Sequence, residues 1–316
     1  MKNNDTSILP EKVSNQIAAL SNDSIHGSTF LTKKAINIVK SYINEKDLSE
    51  INFETLKNML SFIIDAQPTM ALLFSFSNKF LFFLDELNEE NKPIAENKES
   101  IITFLEHFSQ SLKKGKSLIS QNAIHHLLST SVIATYSSSG TIQYTIEKLS
   151  EQNTSITVYC AESRPKYEGT LLAQSLAKKG IDVNLMTDAT LFSKIKDVNS
   201  LVIGADAITK QGNINKIGSY PLAQLASDYT IPIYCLAHSL KIIPNEYSLQ
   251  NESKKPDTDL LSEKQENIAV INYYFDTTPL NLFNGIITEK GFFQPVDIKE
   301  FIQKQSLHPF LRRNDS

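Results

Sequence analysis

The first third of the chain places apolar residues at helical spacing. Up to about residue 115 they recur three or four positions apart, which puts them on one face of a helix. One such series is Leu31, Ala35, Ile38, Val39 and Tyr42. A later helix is predicted to begin near Ser100, a residue suited to an N-cap, and to end at Gly115. The polar stretch 85–99 predicts a solvated connection, and the whole pattern predicts a helical domain over 1–115.

From residue 116 onward, short apolar runs alternate with helical patterns. The runs are 131–136, 155–160, 181–186, 200–205, 232–237 and 268–275. Strand, helix and strand at this spacing predict a parallel sheet with right-handed crossovers and helices on both faces. The predicted fold class is therefore α/β, with the helical domain followed by a C-terminal domain over 116–316 that contains a mainly parallel sheet.

Charge and composition exclude several classes of protein. The 316 residues include 31 basic and 35 acidic side chains, a formal net charge of −4, so neither nucleic acid nor a membrane is an expected partner. The two cysteines are too few for a disulfide framework, and the histidines lack the spacing of a metal site. No signal peptide and no phosphate-binding glycine fingerprint is recognised. We therefore expect a cytoplasmic protein without a metal or cofactor.

Polar residues follow the predicted strands, where open parallel sheets bind their ligands. These residues include Ser137, Ser138, Ser139, Gly140, Arg164, Asp206, Asn215 and Lys216. The serine-rich turn fits either a helix cap or an anion cradle of backbone N–H groups. Arg164 either forms an ion pair at the surface or binds a phosphate through two N–H groups of its guanidinium. This edge of the sheet predicts a small, phosphorylated and hydroxylated ligand.

The carboxylate and lysine on this edge also allow two interpretations. Asp206 follows an apolar strand, so it is either a helix cap or a buried acid. In the second case burial would raise its pKa, which suits a general acid or base. Asn215 and Lys216 are either solvated loop residues or the groups that balance the charge of Asp206 and bind sugar hydroxyls. The residues alone leave both alternatives open.

Several motifs resemble one protein family over nearly the whole chain. They are HGSTFLTKKAI at 26–36, AQPTMALL at 66–73, ESRPKYEG at 162–169, GADAIT at 204–209, NKIGSYPLA at 215–223 and YFDTTP at 274–279. They are similar to the alpha, beta and delta subunits of translation initiation factor 2B, a family that also contains methylthioribose-1-phosphate isomerase and ribose-1,5-bisphosphate isomerase. The resemblance implies a Rossmann-like C-terminal domain, homodimers formed through that domain and assembly into hexamers in some members. A translation initiation factor as a partner is left open.

The resemblance also implies roles for individual residues. Isomerases of this family move hydrogen between C1 and C2 of an aldose 1-phosphate with a cysteine and an aspartate. Asp206 is the implied aspartate, and Ser137 stands where the cysteine is expected. Two expected arginines are replaced by His26 and Gln67. The implied ligand-binding residues are His26, Gly27, Ser28, Gln67, Ser138, Gly140, Arg164, Asn215 and Lys216.

These departures favour a non-catalytic, initiation-factor-2B-like protein that binds a sugar phosphate or a nucleoside monophosphate as a regulatory ligand. A serine hydroxyl lacks a pKa matched to proton transfer near neutrality, unlike a thiol. The alternative is an aldose-phosphate isomerase of altered mechanism, with Asp206 as the general acid–base and Ser137 as a polarising hydrogen-bond donor. A third hypothesis is a scaffold subunit that binds no small molecule.

Overall fold

A computed structural model describes residues 9–23, 27–45, 51–89, 94–152, 155–249 and 252–312. The chain divides into two compact units, one of 1–113 with 243–250 and 305–316, the other of 114–242 with 251–304. The sequence prediction assigned 243–250 and 305–316 to the second domain, whereas both segments group with the helices. The amide of Asn78 donates to the Ser306 carbonyl oxygen at 3.0 Å, and Tyr247 stacks on Phe74 with ring centroids 3.8 Å apart.

Within the described residues, the helical unit contains four α-helices and the first half of a fifth. They are α1 (Glu11–Ser21), α2 (Ser28–Glu45), α3 (Phe53–Ala66), α4 (Ala71–Glu89) and α5 (Lys98–Leu127). The apolar face predicted for α2 is buried along its whole length. The Asn52 side chain caps α3 by accepting a hydrogen bond from the Thr55 amide at 2.7 Å. Burial of one apolar face per helix therefore forms this unit, as the periodicity predicted.

Two predicted boundaries in this region are wrong. Helix α4 continues to Glu89, Ile94–Asn97 form a 3-10 helix and α5 begins at Lys98, so the described part of the polar stretch 85–99 is helical, whereas 90–93 lie outside the described residues. Helix α5 also continues through Gly115 instead of ending there. A Cβ atom on Gly115 would clash with the imidazole of His238, which lies in the second unit together with this part of α5. The glycine therefore permits close packing and does not terminate the helix.

The second unit is built on a seven-stranded sheet of order β10-β9-β7-β4-β1-β2-β3. Its strands are β1 (Val132–Thr135), β2 (Thr157–Ala161), β3 (Asp182–Met186), β4 (Ser200–Ile203), β7 (Ile233–Leu236), β9 (Gly285–Thr288) and β10 (Gly291–Phe293). All neighbours pair in parallel except β9 and β10. The mainly parallel α/β fold is therefore confirmed.

Helices cover both faces of this sheet. The end of α5 with α6 (Gly140–Ser150) and α7 (Glu168–Ala177) buries one set of apolar residues, which includes Ile133 of β1. The helices α8 (Asp188–Lys194), α9 (Ser219–Asp228) and α10 (Pro295–Gln303) bury another set, which includes Ala134. Because neighbouring strand residues point to opposite faces, the two sets lie on opposite sides of the sheet.

The prediction of a buried parallel strand over 268–275 is wrong. Ile271 is 77% exposed, and Ile268 and Tyr273 are also exposed, so this apolar run is not a core strand. The strand in this region is β8 (Phe275–Thr278), which pairs with β6 (Asn213–Lys216) and, through it, with β5 (Ala207–Ile208) in a small antiparallel sheet. The main sheet is completed instead by β9 and β10.

The order of the strands creates a switch point between β1 and β4. From β1 the chain crosses through α6 to β2 on one side, whereas β4 lies on the other side of β1. In doubly wound sheets, ligands usually bind beside the loops that leave the carboxyl ends of the two strands at such a switch point. In the described part of the chain, no helix combines the length and apolarity needed to cross a bilayer.

Candidate ligand site at the switch point of the sheet

The loop after β1 leads directly into the N-terminus of α6. Ser137 has a left-handed backbone, with φ of 65°, and its N–H donates to the Ser163 Oγ at 2.8 Å. Ser139 is the N-cap of α6, and its Oγ accepts a hydrogen bond from the Ile142 amide at 3.4 Å. Ser138 and Gly140 are exposed beside this cap. The predicted cap is thus observed in Ser139, and the exposed helix start retains the geometry that suits an anion.

The loop after β2 carries Arg164 next to the loop after β1. The guanidinium of Arg164 lies over the ring of Tyr167, 4.9 Å from its centroid, and donates to the Tyr167 hydroxyl. Among the described residues, no carboxylate forms an ion pair with Arg164 at up to 4 Å. The surface ion pair that was one interpretation of this residue is therefore not observed. Stacking on the tyrosine orients the guanidinium while leaving it partly exposed.

Asp206 follows β4 on the other side of the switch point. Its backbone N–H donates to the Ile214 carbonyl oxygen at 2.8 Å, which ties the loop to β6. Burial raises the pKa of the Asp206 carboxyl, the nearby charges of Lys241 and Lys216 oppose this rise, and the charge of Glu168 adds to it. The Lys241 Nζ donates to the carbonyl oxygen of Ala205, directly before Asp206. The acid is thus held in an environment that favours its protonated form.

Asn215 and Lys216 are buried on β6, so they are not the solvated loop residues that one interpretation expected. The Asn215 amide donates to the Ser219 Oγ at 2.9 Å. The Lys216 Nζ lies 2.9 Å from the Glu168 Oε1 and 5.2 Å from the centroid of the Tyr274 ring. Lys216 thus pairs with Glu168 and acts on Asp206 through its charge, whereas the binding of sugar hydroxyls by Asn215 and Lys216 stays a prediction.

Glu168 belongs to the site although the sequence prediction did not select it. It begins α7, and its Oε1 pairs with Lys216. Its Oε2 is buried and has no hydrogen-bond partner among the described residues. Its place within the ESRPKYEG motif, at the predicted start of a helix, was the available signal. A lone glutamate at a helix start is usually explained by the helix dipole, so the signal was weak.

Neither cysteine of the chain supplies a reactive thiol to this edge. Cys160 lies in β2 and Cys235 in β7, and both are completely buried. Burial raises the pKa of each thiol to about 12. A thiolate nucleophile or base is therefore disfavoured at both positions near neutral pH.

The predicted site residues of the N-terminal region belong to the helical unit. His26 lies outside the described residues, Gly27 is exposed, and Ser28 is buried at the start of α2. The Gln67 amide donates to the carbonyl oxygens of Leu20 at 3.0 Å and Asp23 at 3.1 Å, which joins the end of α3 to the end of α1. Gln67 thus has a packing role, and ligand binding by these four residues stays a prediction.

No cluster of three or more His, Cys, Asp or Glu side chains suited to a metal ion is found within the described residues. The polar groups around this edge of the sheet include hydroxyls, amides, lysines, an arginine and carboxylates. These groups bind phosphate and hydroxyl oxygens better than they bind apolar surfaces. The fold and this edge define a doubly wound α/β protein with polar side chains at its switch point.

Comparison with known proteins identifies the family. The profile of the initiation factor 2 subunit family matches residues 24–295, and the chain belongs to that family. It is 30% identical to the ribose 1,5-bisphosphate isomerase of Methanocaldococcus jannaschii, over 90% of this chain and 92% of that protein. It is 29% identical to a putative translation initiation factor eIF-2B subunit 2-like protein of Pyrococcus furiosus, over 91% of this chain and 98% of that protein.

Solved structures agree with this assignment. The translation initiation factor eIF-2B of Pyrococcus horikoshii superposes with a TM-score of 0.78 at 27% identity, covering 92% of this chain and 100% of that one. The 5-methylthioribose 1-phosphate isomerase of the same organism superposes with a TM-score of 0.73 at 21% identity, covering 92% and 88%. At that identity the second likeness shows the fold alone. The predicted family and the Rossmann-like architecture are confirmed, and the relatives carry names of both functional kinds.

Proposed function

We propose that this protein binds a phosphorylated sugar at the switch point between β1 and β4 without converting it. The observation that carries the proposal is the closeness of the α6 cap to β6 at the end of β4: a Cβ on Gly204 would lie 3.6 Å from the Ser139 Oγ and 3.9 Å from the Asn215 Oδ1. Asp206 follows two residues later, and the charge of Lys216 acts on it. Backbone N–H groups at a helix start bind phosphate, and buried carboxylate and amide groups bind hydroxyls. A sugar phosphate presents both kinds of group.

Each part of the ligand has matching groups in the second unit. The amides of 138–140 and the guanidinium of Arg164 suit the phosphate. The Glu168 Oε2, which has no hydrogen-bond partner among the described residues, suits a hydroxyl group as an acceptor, and the carboxyl of Asp206 suits a second hydroxyl. Lys216 lies between the two acids and reduces their repulsion. A nucleoside monophosphate, which carries a ribose and a phosphate, is the second ligand class that fits.

The absence of turnover follows from the group at position 137. Ser137 offers a hydroxyl where a proton-transfer group is needed, and the thiols of Cys160 and Cys235 are buried with pKa values of about 12. Proton transfer is efficient when the pKa of the group lies near the working pH, which a serine hydroxyl does not satisfy. The ligand would therefore act as a regulatory signal rather than as a substrate.

A second candidate function is an aldose-phosphate isomerase of altered mechanism. The position of Asp206 after β4 and the upward shift of its pKa by burial favour it, because a carboxyl with a raised pKa is better suited to general acid–base work. Ser137 would then polarise the substrate by donating a hydrogen bond. The similarity to a protein named ribose 1,5-bisphosphate isomerase supports the same candidate. It predicts that Asp206→Asn abolishes turnover with the fold intact.

One experiment separates these functions. Titration calorimetry and phosphorus NMR are run with ribose 1,5-bisphosphate, methylthioribose 1-phosphate and adenosine monophosphate, on wild type, Ser137→Cys and the matched control Ser137→Ala. We expect saturable binding by wild type without a ketose product. A product from wild type would establish the isomerase instead. No saturable binding of any probe would overturn both functions and leave a scaffold subunit.

We also propose a homodimer through the C-terminal domain, with a translation initiation factor as its partner. Leu171 on α7 is 60% exposed and Leu185 on the edge strand β3 is 47% exposed, which is apolar surface suited to an interface. Light scattering should give about twice 35.5 kDa for a dimer. A mass equal to that of one chain would refute the dimer.

A further inference from the structure

Asp188 lies directly after β3, and its carboxylate binds the loop that follows β2. The Oδ1 accepts a hydrogen bond from the Ser163 N–H at 2.8 Å, and the Oδ2 accepts one from the Arg164 N–H at 2.9 Å. Ser163 is fully buried and has a left-handed backbone, with φ of 64°. A serine does not favour this conformation, so two charge-assisted hydrogen bonds from one carboxylate help to hold it.

The same network reaches the loop after β1. The Ser163 Oγ accepts the N–H of Ser137 at 2.8 Å, so the residue that Asp188 fixes in turn fixes Ser137. The hydroxyl of Tyr136 bonds directly to the Asp188 side chain. Burial and then the charge of Asp188 raise the pKa of this phenol, so the hydroxyl remains a donor. One carboxylate therefore connects the loops that leave β1 and β2.

Both loops carry groups of the candidate ligand site. The loop after β1 leads to the amides at the start of α6, and the loop after β2 carries Arg164. A preformed phosphate site depends on the position of such backbone groups to within a fraction of an ångström. We propose that Asp188 is a positioning residue of this site, which acts on the ligand through Ser163, Ser137 and Arg164. This inference rests on the proposed function.

The variant Asp188→Asn tests this role. The side-chain amide nitrogen cannot accept a hydrogen bond, so one of the two N–H groups of Ser163 and Arg164 loses its partner. The matched control is Asp182→Asn, an exposed aspartate at the opposite end of β3. We expect the Kd for ribose 1,5-bisphosphate to rise about 10-fold or more in Asp188→Asn and to stay unchanged in Asp182→Asn.

A second variant follows the path from Asp188 to Ser137. Ser163→Ala removes the acceptor of the Ser137 N–H, together with the hydrogen bond that the Ser163 hydroxyl donates to the Ala161 carbonyl oxygen at 3.3 Å, and it too should raise the Kd. Since both variants disturb one connected network, the double variant Asp188→Asn/Ser163→Ala should lose less affinity than the sum of the two single losses. If the loss of affinity in the double variant equals the sum of the two single losses, Asp188 does not act through Ser163, and this part of the inference is overturned.

The outcomes distinguish this inference from the function on which it rests. Each Kd is measured at a temperature far below the thermal midpoint of every variant, and the thermal midpoint of each variant is measured as well. A fall in the midpoint of Asp188→Asn with an unchanged Kd would mean a purely structural role and would overturn the inference alone. Failure of wild type to bind any sugar phosphate would overturn the proposed function, and the inference with it.

Discussion

Replacing Lys216 by methionine should destabilise the second unit because it leaves Glu168 without its partner. The Lys216 side chain is 4% exposed, and its Nζ lies 2.9 Å from the Glu168 Oε1. Removing one partner of a fully buried ion pair costs about 3–5 kcal/mol. Because the Glu168 side chain is 33% exposed, water compensates part of that cost. Methionine has a similar length and leaves little cavity, so we expect a loss of about 2 kcal/mol.

The assay is urea denaturation at neutral pH, with a surface pair of similar geometry as the control. Lys148 lies 2.8 Å from Glu151, but their side chains are 40% and 61% exposed. Lys148→Met should therefore change the free energy of unfolding by less than about 1 kcal/mol. The difference between the two lysine variants isolates the effect of burial, since the distance within each pair is nearly the same.

A double variant decides whether the unpaired Glu168 carboxylate causes the loss of stability in Lys216→Met. Glu168→Gln removes the charge that Lys216→Met leaves behind, so Lys216→Met/Glu168→Gln should be more stable than Lys216→Met alone. If Lys216→Met loses no more stability than Lys148→Met, or if the double variant loses the sum of the two single losses, the ion pair does not stabilise this edge and the reasoning is refuted.

Three further results are expected. Burial raises the pKa of Asp276 to about 6, so the folded protein binds this proton more tightly than the unfolded chain does. The stabilisation is present below about pH 4 and is lost as the pH rises through 6, by at most about 3 kcal/mol. Urea denaturation of Asp276→Asn should therefore show a weaker decline from pH 4 to 7 than wild type, and parallel declines would contradict this. Gly115→Ala should destabilise the fold because its Cβ clashes with the imidazole of His238, although replacing glycine by alanine inside a helix normally stabilises a protein by about 1 kcal/mol. Thermal unfolding measures the effect, and the control is Gly140→Ala, where a Cβ meets open space. The two buried cysteines should not react rapidly with a thiol reagent at pH 8 in the native protein, whereas Ser137→Cys should add one fast thiol; a fast thiol in wild type would contradict the burial.

The elements that the sequence predicted well are those whose apolar pattern reports burial directly. The face of α2 from Leu31 to Tyr42 is buried, and five of the six predicted strands occur within a few residues of their predicted bounds. The prediction of a buried strand over 268–275 was wrong because Ile268, Ile271 and Tyr273 are exposed. Apolar content alone does not distinguish a core strand from a surface segment. The prediction that the helix ends at Gly115 was wrong because the role of this glycine depends on the imidazole of His238, 123 positions later in the chain.

The site was predictable only as far as strand ends can be recognised. Ser137, Arg164 and Asp206 follow strands, and the rule for parallel sheets predicts that such residues lie at one edge. Glu168 was missed, and Asp188 follows a predicted strand but was given no role, because the importance of both depends on partners 48 and 25 positions away. A carboxylate whose partner is distant in sequence looks like any solvated acid until the fold brings the two together.

Binding and turnover make different demands on this site. The phosphate would be held by backbone amides and a guanidinium, whereas proton transfer requires a side chain with a suitable pKa beside the sugar. Ser137 lies on the same loop as the amides of α6, and its backbone N–H is fixed by Ser163 whatever its side chain. A change from thiol to hydroxyl at this position would therefore remove the chemistry and leave the backbone that binds the ligand in place. Affinity and rate must accordingly be measured separately, because a family whose members carry both enzyme and initiation-factor names can preserve one without the other.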